Sequence, residues 1–459
     1  MGRILRVTSV KARRLQKMAS FVKTYSSKNS LRILCISPLF APTADSEAFC
    51  GAKMVQALMQ QGAEITVLAS RKFRDRPYDS SVLWNSLNEI TVDVPLPYPP
   101  NRLQSILLAT RFQTPFHARW VGAAVHKAMS LHHERAFDLI YTRSIPIAAH
   151  IAGYWCANAL KLPWIANLND PWATEFFPIE ESPKLSPFSK AANIYWLRRT
   201  MQSADLITYP CRRLKDFHGR VAKVDQFAEV IPHIGYQQKS KCHRPDGHFR
   251  LVHAGKLLAA DGRFGNTILL GLKAFLSSSV EAATDAKLIL VGPGDKEMQS
   301  MICELGLQRN VEFIGRVNYE ESLNYIASAS VCVLAEARMD EGIFFASKLA
   351  DYIAHGKPVL ALSPKIGTAS DLANRGELIR VDQNPEVVKD AIAILYAKFK
   401  NGTLNSCNPS ERLQGQVQGE VIAERFLATC QTLTSTKLES RAARLERLRR
   451  LGPSFEQSF

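Results

Sequence analysis

The stretch from Glu341 to Ala361 holds the residues of this 459-residue chain best spaced for chemistry. A loop ends at Ser347, whose hydroxyl can cap a helix that runs to His355 and is closed by Gly356. The start of such a helix offers free N–H groups and the positive end of the helix dipole, and Lys348 adds a full charge beside them. This combination makes an anion site. Asp351 follows Ser347 by four positions, one turn deeper on nearly the same face. A carboxylate there repels phosphate but accepts hydrogen bonds from sugar hydroxyls. Phosphate followed by ribose is the layout of a nucleoside diphosphate. The plainer alternatives are a solvated helix-face acid at Asp351 and an ordinary acidic loop residue at Glu341.

Such a helix needs a scaffold that aims its first turn into a cleft, and the sequence supplies one twice. Leu31 to Ser37 is a short buried-strand run, followed by Pro38 and Pro42 and by a polar loop with Asp45, Ser46 and Glu47. A helical pattern from Ala52 to Gln61 ends at Gly62, and residues 64–69 are strand-like again, which makes a βαβ unit. Further strands are predicted near residues 137–141, 163–167 and 204–209. A second half opens at Phe249 and alternates strongly, with strands at 250–255, 286–292, 311–314, 330–335 and 358–362 and helices between them. The fold class is α/β: two Rossmann-like domains facing a central cleft. Their bounds are a basic arm at 1–30, an N-terminal domain at 31–235, a polar linker at 236–247, a C-terminal domain at 248–415, and a helix with a basic tail at 416–459.

Composition narrows the class. Hydrophobic residues are 46% and charged residues 22% of the chain, ordinary values that exclude general disorder, collagen and a disulfide miniprotein. The net charge is +16, but residues 1–30 carry eight basic side chains and no acid, and residues 430–459 carry six basic and three acidic ones. Basic ends on a nearly balanced body point to an anionic lipid surface rather than to nucleic acid. Nine cysteines without a C-x-x-C pair fit a reducing compartment, so the expected location is cytoplasmic, peripheral on a membrane face. No transmembrane helix or secretory signal is expected. A dinucleotide fingerprint is absent, since Gly292-Pro293-Gly294 lacks the third glycine, and so is a P-loop. His132 and His133 lack a further ligand at helical spacing and read as a solvated helix end.

Ser347-Lys348-Leu349-x-Asp351-Tyr352, continuing to Gly356-Lys357-Pro358, resembles the donor motif of GT-B glycosyltransferases of family 4. The order of other segments strengthens the resemblance. Val252 to Leu257, with Gly255, is similar to the first strand and turn of that family's donor domain, and Val291-Gly292-Pro293-Gly294 to the turn after its next strand. Val311 to Val317, with Gly315 and Arg316, resembles the V-x-F-x-G-x-V segment beside the nucleobase. Asn169-Asp170-Pro171-Trp172 resembles an acceptor-side loop. The resemblance covers roughly residues 31–430. It implies a sugar transferred from a nucleoside-diphosphate donor to a hydroxyl acceptor, lipid-linked or a growing saccharide, with retention of configuration. No metal and no cofactor are implied. Lys256 and Arg263 match the basic pair that holds the donor diphosphate and would stabilise the leaving nucleotide. Asp351 matches the second acid of the E-x7-E motif and would bind ribose. Asp170 would serve the acceptor, and Ser46 and Glu47 lie on the first loop, which in the family approaches donor phosphate and acceptor. The first acid of E-x7-E would fall at Ile343; Glu341 is two residues early and serves only if the loop shifts. Two alternatives stay open: a degenerate member that binds nucleotide or membrane in an assembly without turnover, and a nucleotide-sugar epimerase.

Overall fold

The computed structural model describes residues 30–71, 77–95, 115–144, 146–172, 186–224, 227–237, 247–257, 265–294, 296–435, 441–450 and 455–459. The basic arm before residue 30, most of the linker and Arg263 lie outside the described residues.

Seven strands form the N-terminal sheet: β1 Arg32–Ile36, β2 Glu64–Ala69, β3 Thr91–Asp93, β4 Leu139–Arg143, β5 Trp164–Asn167, β6 Leu206–Tyr209 and β7 Ala228–Val230. Their order is β3-β2-β1-β4-β5-β6-β7, and every pairing is parallel. The second sheet uses β8 Phe249–Ala254, β9 Ala286–Val291, β10 Val311–Gly315, β11 Val331–Ala335, β13 Val359–Leu362 and β15 Ile379–Val381, in the order β10-β9-β8-β11-β13-β15. It too is parallel throughout. A two-stranded ribbon pairs β12 Glu341–Gly342 with β14 Ile366–Gly367. The central strands are almost wholly buried, which is why they read as unbroken apolar runs, as in Leu251-Val252 and Leu288-Ile289-Leu290-Val291.

Parallel sheets of this kind bind ligands beyond the carboxyl ends of the strands, where the strand order reverses. The reversal lies between β1 and β4 in the first sheet and between β8 and β11 in the second. Both reversals point residues into one space between the domains.

One predicted helix needs correction. The first helix is Ser46–Gln60, not Ala52 onward: Asp45 caps it, its carboxylate accepting from the Glu47 N–H at 3.0 Å. Ser46 and Glu47 therefore sit in a helical first turn rather than on a loop. The polar stretch 400–415 contains a 3-10 turn, Leu404–Cys407, and most of a short helix, Glu411–Gln416. The C-terminal segment packs against the rest of the chain. Helix Gly419–Thr434 crosses back to the N-terminal domain, where Phe426 meets Tyr141 edge-on at 4.8 Å. Leu448 is fully buried, and residues 455–459 dock: the Phe459 carbonyl accepts from the Arg212 N–H at 2.8 Å, and Glu456 pairs with Lys215 at 2.7 Å. None of the eight described cysteines forms a disulfide, and among the described residues no helix is long and apolar enough to cross a membrane.

Candidate active site

A cavity of about 530 Å³ lies between the two sheets and takes its walls from both domains. The C-terminal wall is built from strand ends. Gly255 follows β8 with φ +111°, and Gly292 follows β9 with φ +138°, conformations glycine adopts without strain. The Gly255 N–H donates to Val291 O at 2.7 Å and the Gly292 N–H to Gly315 O at 2.8 Å, so the three turns are laced together. A Cβ on Gly292 would stand 2.4 Å from the Gly255 carbonyl oxygen; one on Gly255 would stand 2.7 Å from Lys348 Nζ. The lysine amine thus lies directly over the Gly255 backbone.

His253 fixes that amine. Its Nδ1 lies 3.0 Å from Val333 O, which accepts only if Nδ1 carries the proton. On the neutral ring Nε2 then accepts from Lys348 Nζ, 3.2 Å away, and its 3.3 Å approach to Lys256 O carries no proton. His253 is 1% exposed. The sequence reading missed it because a histidine inside a buried strand looks like a core residue. Lys256 is exposed at the cavity, which Arg316 from the turn after β10 also lines. Helix Ser347–Ala354 begins here, with one correction: Ala346 is the N-cap residue and no side chain caps the helix, so Ser347 is the first helical residue. Ser347 and Lys348 line the cavity, whereas Leu349 turns into the core and is 1% exposed. Gly315 acts through its carbonyl behind the cavity wall.

The N-terminal wall carries Ser46, Glu47, Asn169 and Asp170. Glu47 is 6% exposed. Its Oε1 accepts from Arg143 Nε at 3.2 Å and its Oε2 from the Asn169 amide at 2.6 Å, while Arg143 also donates to the Tyr141 hydroxyl at 2.8 Å. Burial pushes the Glu47 carboxyl up, to about 8, against the pull of the Arg143 guanidinium; nearby Asp170 adds to the push. Arg143 ends β4 and Asn169 follows β5, so this network spans neighbouring strand ends. No local motif could have joined Glu47 to Arg143. Two neutral histidines hold the turn after Asp170. His218 Nε2 accepts from the Trp172 N–H at 3.1 Å, and the His150 ring stacks on Trp172 with centroids 5.3 Å apart. Burial lowers both histidines to about 3.

Asp351 bridges the walls. It is 4% exposed and lines the cavity, yet one oxygen is already engaged. Oδ1 accepts from Lys53 Nζ at 3.1 Å, from the Tyr319 hydroxyl at 2.9 Å and from the Tyr236 N–H at 2.9 Å. Nearby, Asp79 Oδ2 accepts from the Tyr319 N–H at 2.8 Å and Ser81 Oγ from the Glu320 N–H at 3.2 Å, further ties between the domains.

Glu341 is not in the cavity, which corrects its assignment to the donor site. Pairing of β12 with β14 turns it to a separate groove of about 560 Å³, where it meets Arg213 at 3.1 Å and Arg220 at 2.7 Å. Ile343 is 3% exposed, and its carbonyl accepts from Cys211 Sγ at 3.2 Å. At the last turn of its helix, His132 Nδ1 accepts from the Phe137 N–H at 3.0 Å. No group of three or more His, Cys, Asp or Glu side chains fit to hold a metal occurs among the described residues.

Comparison with known proteins agrees with this architecture. No curated protein sequence matches the chain. The solved structures similar to it include sucrose-phosphate synthase from Thermosynechococcus elongatus (TM-score 0.63, 18% identity, covering 88% of this chain and 100% of that one). HepE from Anabaena, in complex with UDP and glucose, has a TM-score of 0.62 at 14% identity over 88% of this chain and 100% of that one. A putative UDP-N-acetylglucosamine 2-epimerase from Listeria monocytogenes follows at TM-score 0.58 and 15% identity, over 90% and 98%. At such identities these likenesses speak for the shared two-domain fold, GT-B. Residues 51–232 match the glycosyl transferase 4-like domain and residues 249–398 match glycosyl transferases group 1. With both domains matched in order over well more than half its length, the chain belongs to the group 1, family 4-like glycosyltransferases.

Proposed function

We propose that the protein transfers a glycosyl group from a nucleoside-diphosphate sugar to a hydroxyl acceptor, with retention of configuration and without a metal, in polysaccharide or glycolipid assembly. The observation that carries this reading is the Lys348 amine, held by His253 over the Gly255 turn at the reversal point of the donor-side sheet. A diphosphate seated there meets the helix N-terminus, Lys348, Lys256 and Arg316. These groups stabilise the charge that grows on the leaving phosphate as the bond from the sugar anomeric carbon to the phosphate oxygen breaks. The acceptor oxygen forms the new bond to that carbon, and its proton passes to the departing phosphate. Asp170, on the opposite wall of the cavity, orients the acceptor hydroxyl in this reading, and Arg263 joins the basic set by resemblance. HepE with UDP-glucose is a fold relative whose ligand has the chemistry expected here. The acceptor is lipid-linked or saccharide, and the basic arm holds the protein against an anionic membrane face.

A second reading, nucleotide binding without turnover, is favoured by Glu341 lying outside the cavity and by Ile343 in place of the first acid. Thermal stabilisation by UDP, GDP and ADP, repeated with Lys348→Ala and Lys256→Ala, tests the site. A melting shift with one nucleotide, reduced in both variants, is expected. No shift with any nucleotide refutes the donor site. Nuclear magnetic resonance of the incubated nucleotide sugar then separates transfer or hydrolysis from epimerisation and from binding alone.

A further inference from the structure

Lys53 projects from helix Ser46–Gln60 of the N-terminal domain into the wall of the other domain, and it is 1% exposed. Its amine reaches Asp351 Oδ1 at 3.1 Å and the Tyr319 hydroxyl at 3.2 Å, and it lies 5.4 and 5.7 Å from the ring centroids of Tyr319 and Tyr236. Three donors, from Lys53, Tyr319 and Tyr236, converge on one carboxylate oxygen. The other oxygen, Oδ2, has no hydrogen-bond partner among the described residues, and Asp351 lines the cavity. That oxygen keeps its hydrogen-bonding capacity for a donor arriving in the cavity.

We propose that Lys53 is a positioning residue for ligand recognition: by holding Asp351 Oδ1 from across the cleft, it presents Oδ2 to a hydroxyl of the bound nucleotide. This rests on the donor-site reading above. Its consequence is that hydroxyl recognition exists only while the two domains are apposed. Separating them removes Lys53 and the Tyr236 end of the linker and frees the carboxylate to turn. Closure and ribose reading are then one event.

The test compares the stabilising nucleoside diphosphate with its 2′,3′-dideoxy analogue by calorimetry on the full chain. Wild type is expected to prefer the ribonucleotide by about 10- to 100-fold, the range of a hydrogen bond to a charged group. Lys53→Met should bring that preference to within about threefold while diphosphate affinity persists; Lys53→Arg should restore part of it. Tyr319→Phe removes one donor without leaving a buried charge and should give an intermediate preference, so the proposal does not hang on one variant folding. Small-angle scattering should show Lys53→Met more open than wild type. An unchanged preference in Lys53→Met and Tyr319→Phe overturns the role of Lys53. A wild type that binds a nucleotide but ignores the ribose hydroxyls overturns the hydroxyl contact alone. A wild type that binds no nucleotide overturns the donor reading itself.

Discussion

The acceptor-side wall makes stability depend on pH in two opposed ways, and their sizes can be compared. His150 and His218 are fully buried, and each holds one ring nitrogen, His150 Nε2 and His218 Nδ1, with no hydrogen-bond partner among the described residues. Protonating them puts uncompensated charge against Trp172. Their folded values fall to about 3 from an ordinary 6.5, so between those limits the unfolded chain binds more protons and stability rises with pH. Each contributes at most about 1.4 kcal/mol per pH unit, together about 2.7. Glu47 acts the other way. Raised from 4.5 to about 8, it holds its proton longer when folded, and stability falls by up to about 1.4 kcal/mol per unit as pH rises through that window. The histidines win between about 4.5 and 6.5, with a net rise of about 1.4 kcal/mol per unit; above 6.5 only the Glu47 fall remains of these three. Stability of the N-terminal domain should therefore peak near pH 6.5, and His233, also lowered to about 3 by burial, steepens the acid limb by up to a further ~1.4 kcal/mol per unit. At ~2–4 °C per kcal/mol for a domain of this size, melting should climb by at least ~5–10 °C from pH 4.5 to 6.5 and drop by ~4–8 °C toward pH 8. Urea midpoints and melting scans at half-unit intervals measure this. Glu47→Gln should flatten the alkaline limb and leave the acid limb; His218→Gln, whose carbonyl can still accept from the Trp172 N–H, should halve the acid contribution of the pair. A flat profile from pH 5 to 8, or an alkaline limb that survives Glu47→Gln, refutes the reasoning.

Other outcomes follow from the packing. Gly292→Ala puts a Cβ 2.4 Å from the Gly255 carbonyl in a φ +138° turn, so the β8 and β9 turns must part; nucleotide binding should fall at least tenfold, with a stability loss of about 1–3 kcal/mol. Gly315→Ala meets none of the described residues within 4 Å and suffers only the φ +78° strain, so calorimetry should find it far closer to wild type. Phe459 is 5% exposed and meets Phe345, a cavity residue, edge-on at 4.8 Å; Phe459→Ala should cost up to about 3 kcal/mol in urea titration and raise the donor KM more than it lowers kcat.

What the sequence disclosed of this site is what one helix or one strand end can carry. Ser347 and Lys348 were legible because the spacing of a single helix and the end of a single strand place them, and the cavity appears where two strand orders reverse. Asp351 was legible as a cavity residue but not in its bonding. Its partner Lys53 stands 298 positions away, and no periodicity links them. The same holds for Glu47 with Arg143, 96 positions apart, and for Arg213 with Glu341, 128 apart. Glu341 failed as a site residue because a two-residue ribbon, too short to leave a pattern, sets the direction of its side chain. Ser347 failed as a cap because the residue before it already adopts the extended cap conformation. Asp45 was overlooked as a cap because the apolar stripe of its helix begins later than the helix. The contacts that cross between domains thus carry most of what is particular to this chain. A family motif names the shared anion site, but the buried lysine that ties it to the opposite wall shows only when both domains are folded against each other.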